Sequence, residues 1–77
     1  MLKIKDNVDL KELEKFDYKL SNNEYVKELG LYYDSDTIFI DIKTREIYLD
    51  TYEFSNKYLL EVIKDLIQAD LVEKVVE

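Results

Sequence analysis

Between Ile38 and Tyr52 the chain alternates twice. Ile38, Ile40 and Ile42 interleave with Phe39, Asp41 and Lys43, and then Ile47, Leu49 and Thr51 interleave with Tyr48, Asp50 and Tyr52. A period of two sends successive side chains to opposite faces of a strand, a pattern no helix can gather onto one side. The segment therefore predicts two strands of one hairpin. A four-residue turn at 43 to 46 sets Ile42 opposite Ile47 and Ile40 opposite Leu49 on the core side. Asp41 then faces Tyr48, and Phe39 faces Asp50, on the other side.

The flanking sequence supplies further elements. Asp9 and Glu12 have capping-box spacing, and Val8 and Leu13 have the spacing of a hydrophobic staple, so a short helix is predicted from about Asp9, with Leu10, Leu13 and Phe16 on its apolar side. "FDYKL" at 16 to 20 alternates as a strand, "SNN" at 21 to 23 is turn chemistry, and an extended run follows from Glu24 to Tyr33, with Gly30 marking a bulge or a close approach. "DSD" at 34 to 36 is the next turn. Ser55 is the predicted N-cap of a second helix, with Phe54 and Leu59 spaced as a staple. Leu59, Val62, Ile63, Leu66 and Ile67 form one stripe of that helix, with Tyr58 and Leu60 at its margins. Asp70 would interrupt the stripe, so the helix should end near Ala69, and "LVEKVVE" reads as a last turn or a short strand. The predicted fold is α+β, a single small domain over residues 1 to 77: a short N-terminal helix, an antiparallel meander of three to four strands, and a longer C-terminal helix packed on one sheet face.

Composition narrows the chemistry. The chain has no cysteine and no histidine, which removes disulfides, thiolate chemistry, the commonest general base and the commonest transition-metal ligand. No run of 18 or more apolar residues exists, and lysines and an aspartate interrupt the N-terminus where a signal peptide needs an apolar stretch. A cytoplasmic setting is expected. The net charge is −7, and residues 28 to 53 hold seven carboxylates against Lys43 and Arg45, so most of the excess lies there. Such a surface repels phosphate backbones and anionic membranes, so neither is an expected direct partner.

With one long helix to cover one sheet face, the face bearing Phe39, Asp41, Tyr48, Asp50 and Tyr52 is left for water or a partner. Tyrosines give large contact area at small entropy cost, and carboxylates complement a basic surface. The bland alternative is a solvated strand face rich in good strand formers. Base stacking on the aromatics would need a positive groove, which Asp41 and Asp50 oppose. Asp34 and Asp36 open like a calcium loop, but Ile38, Phe39 and Arg45 stand where an oxygen ligand, glycine and glutamate belong. Asp41, Glu46 and Asp50 could pair as acid and base only inside a cleft, which one layer of strands does not offer. No catalytic residue, metal ligand or cofactor is expected.

In size, charge and its lysine-, aspartate-, tyrosine- and isoleucine-rich composition, seen in "DSDTIFIDIKTREIYLDTYEFSN", the chain resembles small acidic proteins of phages and mobile elements of low-GC bacteria, among them anti-CRISPR and other anti-defence inhibitors. The resemblance is compositional and transfers no residue role. It implies a noncatalytic inhibitor in a bacterial cytoplasm that mimics DNA and occupies the basic nucleic-acid channel of an effector such as a nuclease. The residues expected to carry that role are Asp34, Asp36, Asp41, Glu46, Asp50 and Glu53 for charge, and Tyr32, Phe39, Tyr48 and Tyr52 as anchors. The rival reading is a structural or assembly protein, a homodimer or larger homo-oligomer joined through its C-terminal helix and the apolar tail residues Leu71, Val72, Val75 and Val76.

Overall fold

The computed structural model describes residues 1–29, 36–50 and 56–75. Among the described residues six strands make two antiparallel sheets. β1 (Leu2–Ile4) pairs with β6 (Val72–Lys74), while β2 (Lys19–Ser21), β3 (Glu24–Glu28), β4 (Thr37–Asp41) and β5 (Ile47–Asp50) form a meander in sequence order. A single bridge, Lys3 to Glu46, ties β1 to the start of β5, and the Ile4 N–H donates to the Arg45 carbonyl at 2.8 Å.

The turns follow from residues that tolerate left-handed backbone. Asn22 sits at φ 56° in the two-residue link between β2 and β3, where Ser21 pairs with Glu24. In the next described hairpin the loop is 42 to 45, not 43 to 46. Asp41 Oδ1 accepts the N–H groups of Lys43 (2.7 Å) and Thr44 (3.0 Å), and Arg45 adopts φ 66° to rejoin β5. Because Asp41 holds the loop from the residue before it, pairing moves one residue toward the N-terminus on each strand: Ile40 faces Ile47, Ile38 faces Leu49, Phe39 faces Tyr48 and Thr37 faces Asp50. The expected pairings are thereby corrected. The faces are not, because a shift of one residue on both strands preserves parity.

The core contains Ile4, Leu13, Tyr18, Tyr25, Ile38, Ile40, Ile47, Leu59, Ile63 and Leu66. Burying such a side chain stabilises by about 1.5–3 kcal/mol, so the Ile38–Ile40–Ile47 group anchors the meander. Near the N-terminus Asp9 accepts the Lys11 N–H at 3.0 Å and caps a 3₁₀ helix, Leu10–Phe16, which buries Leu13 and closes at Asp17 with φ 71°. Phe16 and Asp17 thus belong to the helix end, and the strand predicted over 16 to 20 is confined to β2.

The expected long C-terminal helix on a sheet face is absent among the described residues. There are instead two short helices, α1 (Asn56–Val62) and α2 (Lys64–Gln68), separated at Ile63, whose φ of −106° and ψ of 18° leave the helical region. Ile63 is fully buried at that joint, and the Asp65 carboxylate takes the Leu66 N–H at 2.8 Å, a local bond that competes with the helical ladder. Leu59, Ile63 and Leu66 keep the predicted buried stripe, but Ile67 is 42% exposed. α2 ends at Gln68, and Asp70 turns the chain at φ 62° into β6. The tail therefore pairs within the chain: Leu2, Lys3 and Ile4 face Lys74, Glu73 and Val72. The predicted Gly30 bulge, the Ser55 cap and the Phe54 staple lie outside the described residues.

Candidate protein-docking face

Strand parity and register place the outward side chains of the meander in three rows across the strands. The middle row runs Lys19, Val26, Phe39, Tyr48. On one side of it lie Ser21, Glu24, Asp41 and Glu46; on the other, Glu28, Thr37 and Asp50. Residues two apart on a strand are separated by about 6.7 Å, so the acidic rows stand about 13 Å apart across an apolar band. Tyr48 is 43% exposed, Asp50 is exposed, and Val26, Phe39, Asp41 and Glu46 are half-buried.

The face is mainly acidic, with Lys19 at the end of its middle row and Lys43 near enough for its charge to act on Asp41. Among the described residues no ion pair reaches Glu24, Glu28, Asp41, Glu46 or Asp50. Lys3, the nearest cation on β1, is drawn to Asp6 at 3.1 Å and Glu73 at 3.6 Å. Arg45 is turned inward, where its Nη1 donates to the carbonyls of Lys5 (2.8 Å) and Val8 (2.7 Å). The loop N–H groups of Thr44 and Lys43 hold the Asp41 carboxyl below its usual range. Tyr48 donates its O–H to Glu46, and that bond raises the phenol's pKa and orients its ring along the acidic row.

The face holds Phe39, Asp41, Glu46, Tyr48 and Asp50 of the expected docking residues together. Asp36 is a correction: it is fully buried, in phase with Ile38 and Ile40, and accepts the Tyr58 O–H at 2.7 Å. A carboxylate there joins β4 to α1 and presents no charge to a partner. Tyr32, Asp34, Tyr52 and Glu53 lie outside the described residues. Glu24, Val26 and Glu28 were missed. Their signal is the alternation within "EYVKE", obscured because Lys27 takes an inward position. Lys27 sits over the Tyr18 ring at 5.4 Å and reaches Asp65 at 3.7 Å, so its stem is packed and its charge is met by α2.

Among the described residues no three side chains of the metal-ligating types group together, and no helix is long and apolar enough to cross a membrane. No family model, curated protein or solved structure matches the chain.

Proposed function

We propose that the chain is a noncatalytic binding protein that docks on a basic, nucleic-acid-binding surface of a partner, such as a nuclease, and keeps nucleic acid from it. The observation that carries this reading is the banded face, Val26, Phe39 and Tyr48 between two rows whose carboxylates form no ion pair with a described cation. Carboxylates held on strands take the hydrogen bonds and charge that a basic groove offers to phosphates. The aromatic band supplies the desolvated contact that bases would otherwise make by stacking. A bacterial cytoplasm and an anti-defence role are consistent with the compositional resemblance and belong to the same proposal.

The test is displacement of a fluorescent duplex from a panel of basic nucleases, at low and at high salt. Wild-type chain should displace duplex from at least one of them at low salt and lose the effect as salt rises. The matching variant is Glu46→Gln with Asp50→Asn and Asp41→Asn, since asparagine keeps the oxygen that accepts the Thr44 and Lys43 N–H groups. It should fold and fail to displace. Displacement undiminished in that variant, while Glu61→Gln on α1 behaves alike, removes the face from the mechanism.

A further inference from the structure

Among the described residues strand β6 has β1 as its one neighbour. The Lys5 N–H donates to the Leu71 carbonyl and the Val75 N–H to the Met1 carbonyl, both at 2.9 Å, at the two ends of a register in which Lys3 faces Glu73. Bonded and non-bonded pairs alternate along an antiparallel ladder, so Leu2–Lys74 and Ile4–Val72 are the non-bonded pairs, and their backbone groups point away from the shared seam. Ile4 fits that phase, because its N–H goes to the Arg45 carbonyl on the far side of β1. On β6 the same phase turns the N–H and carbonyl of Val72 and of Lys74 outward, where nothing among the described residues takes them.

Such an edge can be met by its own copy. A two-fold axis perpendicular to the sheet reverses the strand and keeps each face on its own side, and outward groups must meet outward groups, so within β6 the axis passes through Val72, Glu73 or Lys74. An axis at Glu73 sets two carboxylates opposite one another, and an axis at Lys74 sets two ammonium groups so; both are unfavourable. An axis at Val72 sets Val72 against Val72 and Lys74 against the exposed Asp70 of the copy. The same axis matches apolar surface. At the Lys74 end of the edge a concavity of about 360 Å³ is lined by Met1, Leu2, Leu59, Leu60 and Lys74, with Leu60 48% exposed. At the Asp70 end stands Ile67, exposed in the last turn of α2, whose carbonyl takes the Asp70 N–H at 3.0 Å. The axis brings the Asp70 end of each copy to the Lys74 end of the other, and with it Ile67 toward the Leu60 concavity.

We propose that this edge joins two copies of the chain, β6 against β6 about a two-fold axis at Val72, with Ile67 of each copy against the Leu60 concavity of the other. The proposal does not rest on the banded face. Charge permits the approach: β1 and β6 come from residues 1 to 27, with six lysines against six carboxylates, and residues 54 to 77, with three against five, so most of the net −7 lies elsewhere in the chain. A lysine on a short strand ordinarily discourages edge pairing, but at this register Lys74 has a carboxylate to meet. Strands of three residues cover less than the roughly 800 Å² per partner of a stable complex, so the expected form is a reversible dimer that grows with concentration.

Sedimentation velocity on the full chain, over about a hundred-fold range of concentration, should pass from the mass of one chain to that of two. Over the same range amide hydrogen exchange should slow at Val72 and Lys74 and change little at Glu73, whose N–H is already turned to Lys3 on β1. Lys74→Glu sets a carboxylate against Asp70 twice over and should weaken the dimer about ten-fold. Ile67→Ser should weaken it by about as much, through lost apolar contact. Both positions are exposed, so each variant should keep the amide spectrum of the folded wild-type chain. The mass of one chain at every concentration overturns the proposal. So does a dimer that protects Leu20, on the opposite outer strand, in place of Val72 and Lys74. A dimer that Lys74→Glu leaves intact or tightens overturns it as well, because the axis then does not pass through Val72.

Discussion

At the scale of single residues, two groups carry testable consequences of where they sit. Asp41 is the hinge of the β4–β5 loop, and the Thr44 and Lys43 N–H groups depress its pKa below the ordinary 3.8. A depressed carboxylate contributes stability that is fully present above its unfolded pKa and is lost as pH falls through the lower folded value. Asp41→Asn should therefore flatten the acid limb of a urea-midpoint profile below about pH 4 while leaving the neutral midpoint nearly unchanged. Asp41→Ala should lower the midpoint at neutral pH as well, because the loop donors lose their acceptor. The converse case is Tyr18, 2% exposed, whose O–H finds no partner among the described residues. Burial, and then the nearby Asp65 charge, push its pKa well above the ordinary 10.0. The unfolded chain then releases this proton first, so stability falls as pH rises above about 10, and Tyr18→Phe should lessen that fall, leaving the share of Tyr25 and Tyr48, whose pKa values are also raised. An orphaned buried hydroxyl contributes no hydrogen bond, so Tyr18→Phe should leave stability at neutral pH unchanged or raise it by about 1 kcal/mol. A clear loss of stability by chemical denaturation would show that the phenol has a partner.

At the scale of elements, Arg45 joins the parts that local sequence leaves separate. Its left-handed backbone closes the β4–β5 loop, its carbonyl accepts from Ile4 on β1, and its guanidinium holds the carbonyls of Lys5 and Val8. Arg45→Ala should cost about 2–4 kcal/mol by urea unfolding, from two charge-assisted bonds lost together. Arg45→Gly loses the same bonds but suits φ 66°, so it should be less damaging by about 1 kcal/mol. The gap between those variants separates backbone strain from the clamp. This junction also marks what could be read in advance. The Ile38–Ile40 and Ile47–Leu49 alternation specified two strands and their faces, because parity depends on neighbours alone. Register did not follow, since it turned on Asp41 accepting two N–H groups two and three residues ahead. β1 escaped notice because "LKI" is too short to show a period and is held by β6, seventy residues away in sequence. The single C-terminal helix gives way at Ile63, whose backbone leaves the helical region although Leu59, Ile63 and Leu66 keep the buried stripe. Of the candidate site, charge asymmetry was legible, while Asp36 was misplaced although its parity with Ile38 and Ile40 already pointed inward. Truncation after Ala69, which removes β6, should leave β1 unpaired and Ile4 uncovered, and calorimetry should show a weakened or lost cooperative transition.

At the scale of the whole molecule, the banded face has a cost that distinguishes a docking surface from a solvated one. Glu24 lies directly opposite Asp41, and Asp41 is followed across the next ladder step by Glu46. Like charges placed opposite one another in a sheet destabilise it, and in a chain of net charge −7 no ion pair with a described cation offsets the Glu24–Asp41 pair. A face serving only to meet water has no need of that arrangement, since mixed charges would solvate it as well with less repulsion. Glu24→Gln should consequently raise the urea midpoint at low salt, and added salt should narrow the difference, because screening relieves the repulsion that the substitution removes. The same variant should weaken salt-sensitive displacement of duplex from a basic nuclease. Stability and docking then move in opposite directions for one substitution, which neither a loss of fold nor a neutral surface position can produce. A Glu24→Gln chain that gains stability yet displaces duplex as well as wild type would confine the acidic row to an electrostatic liability without a partner.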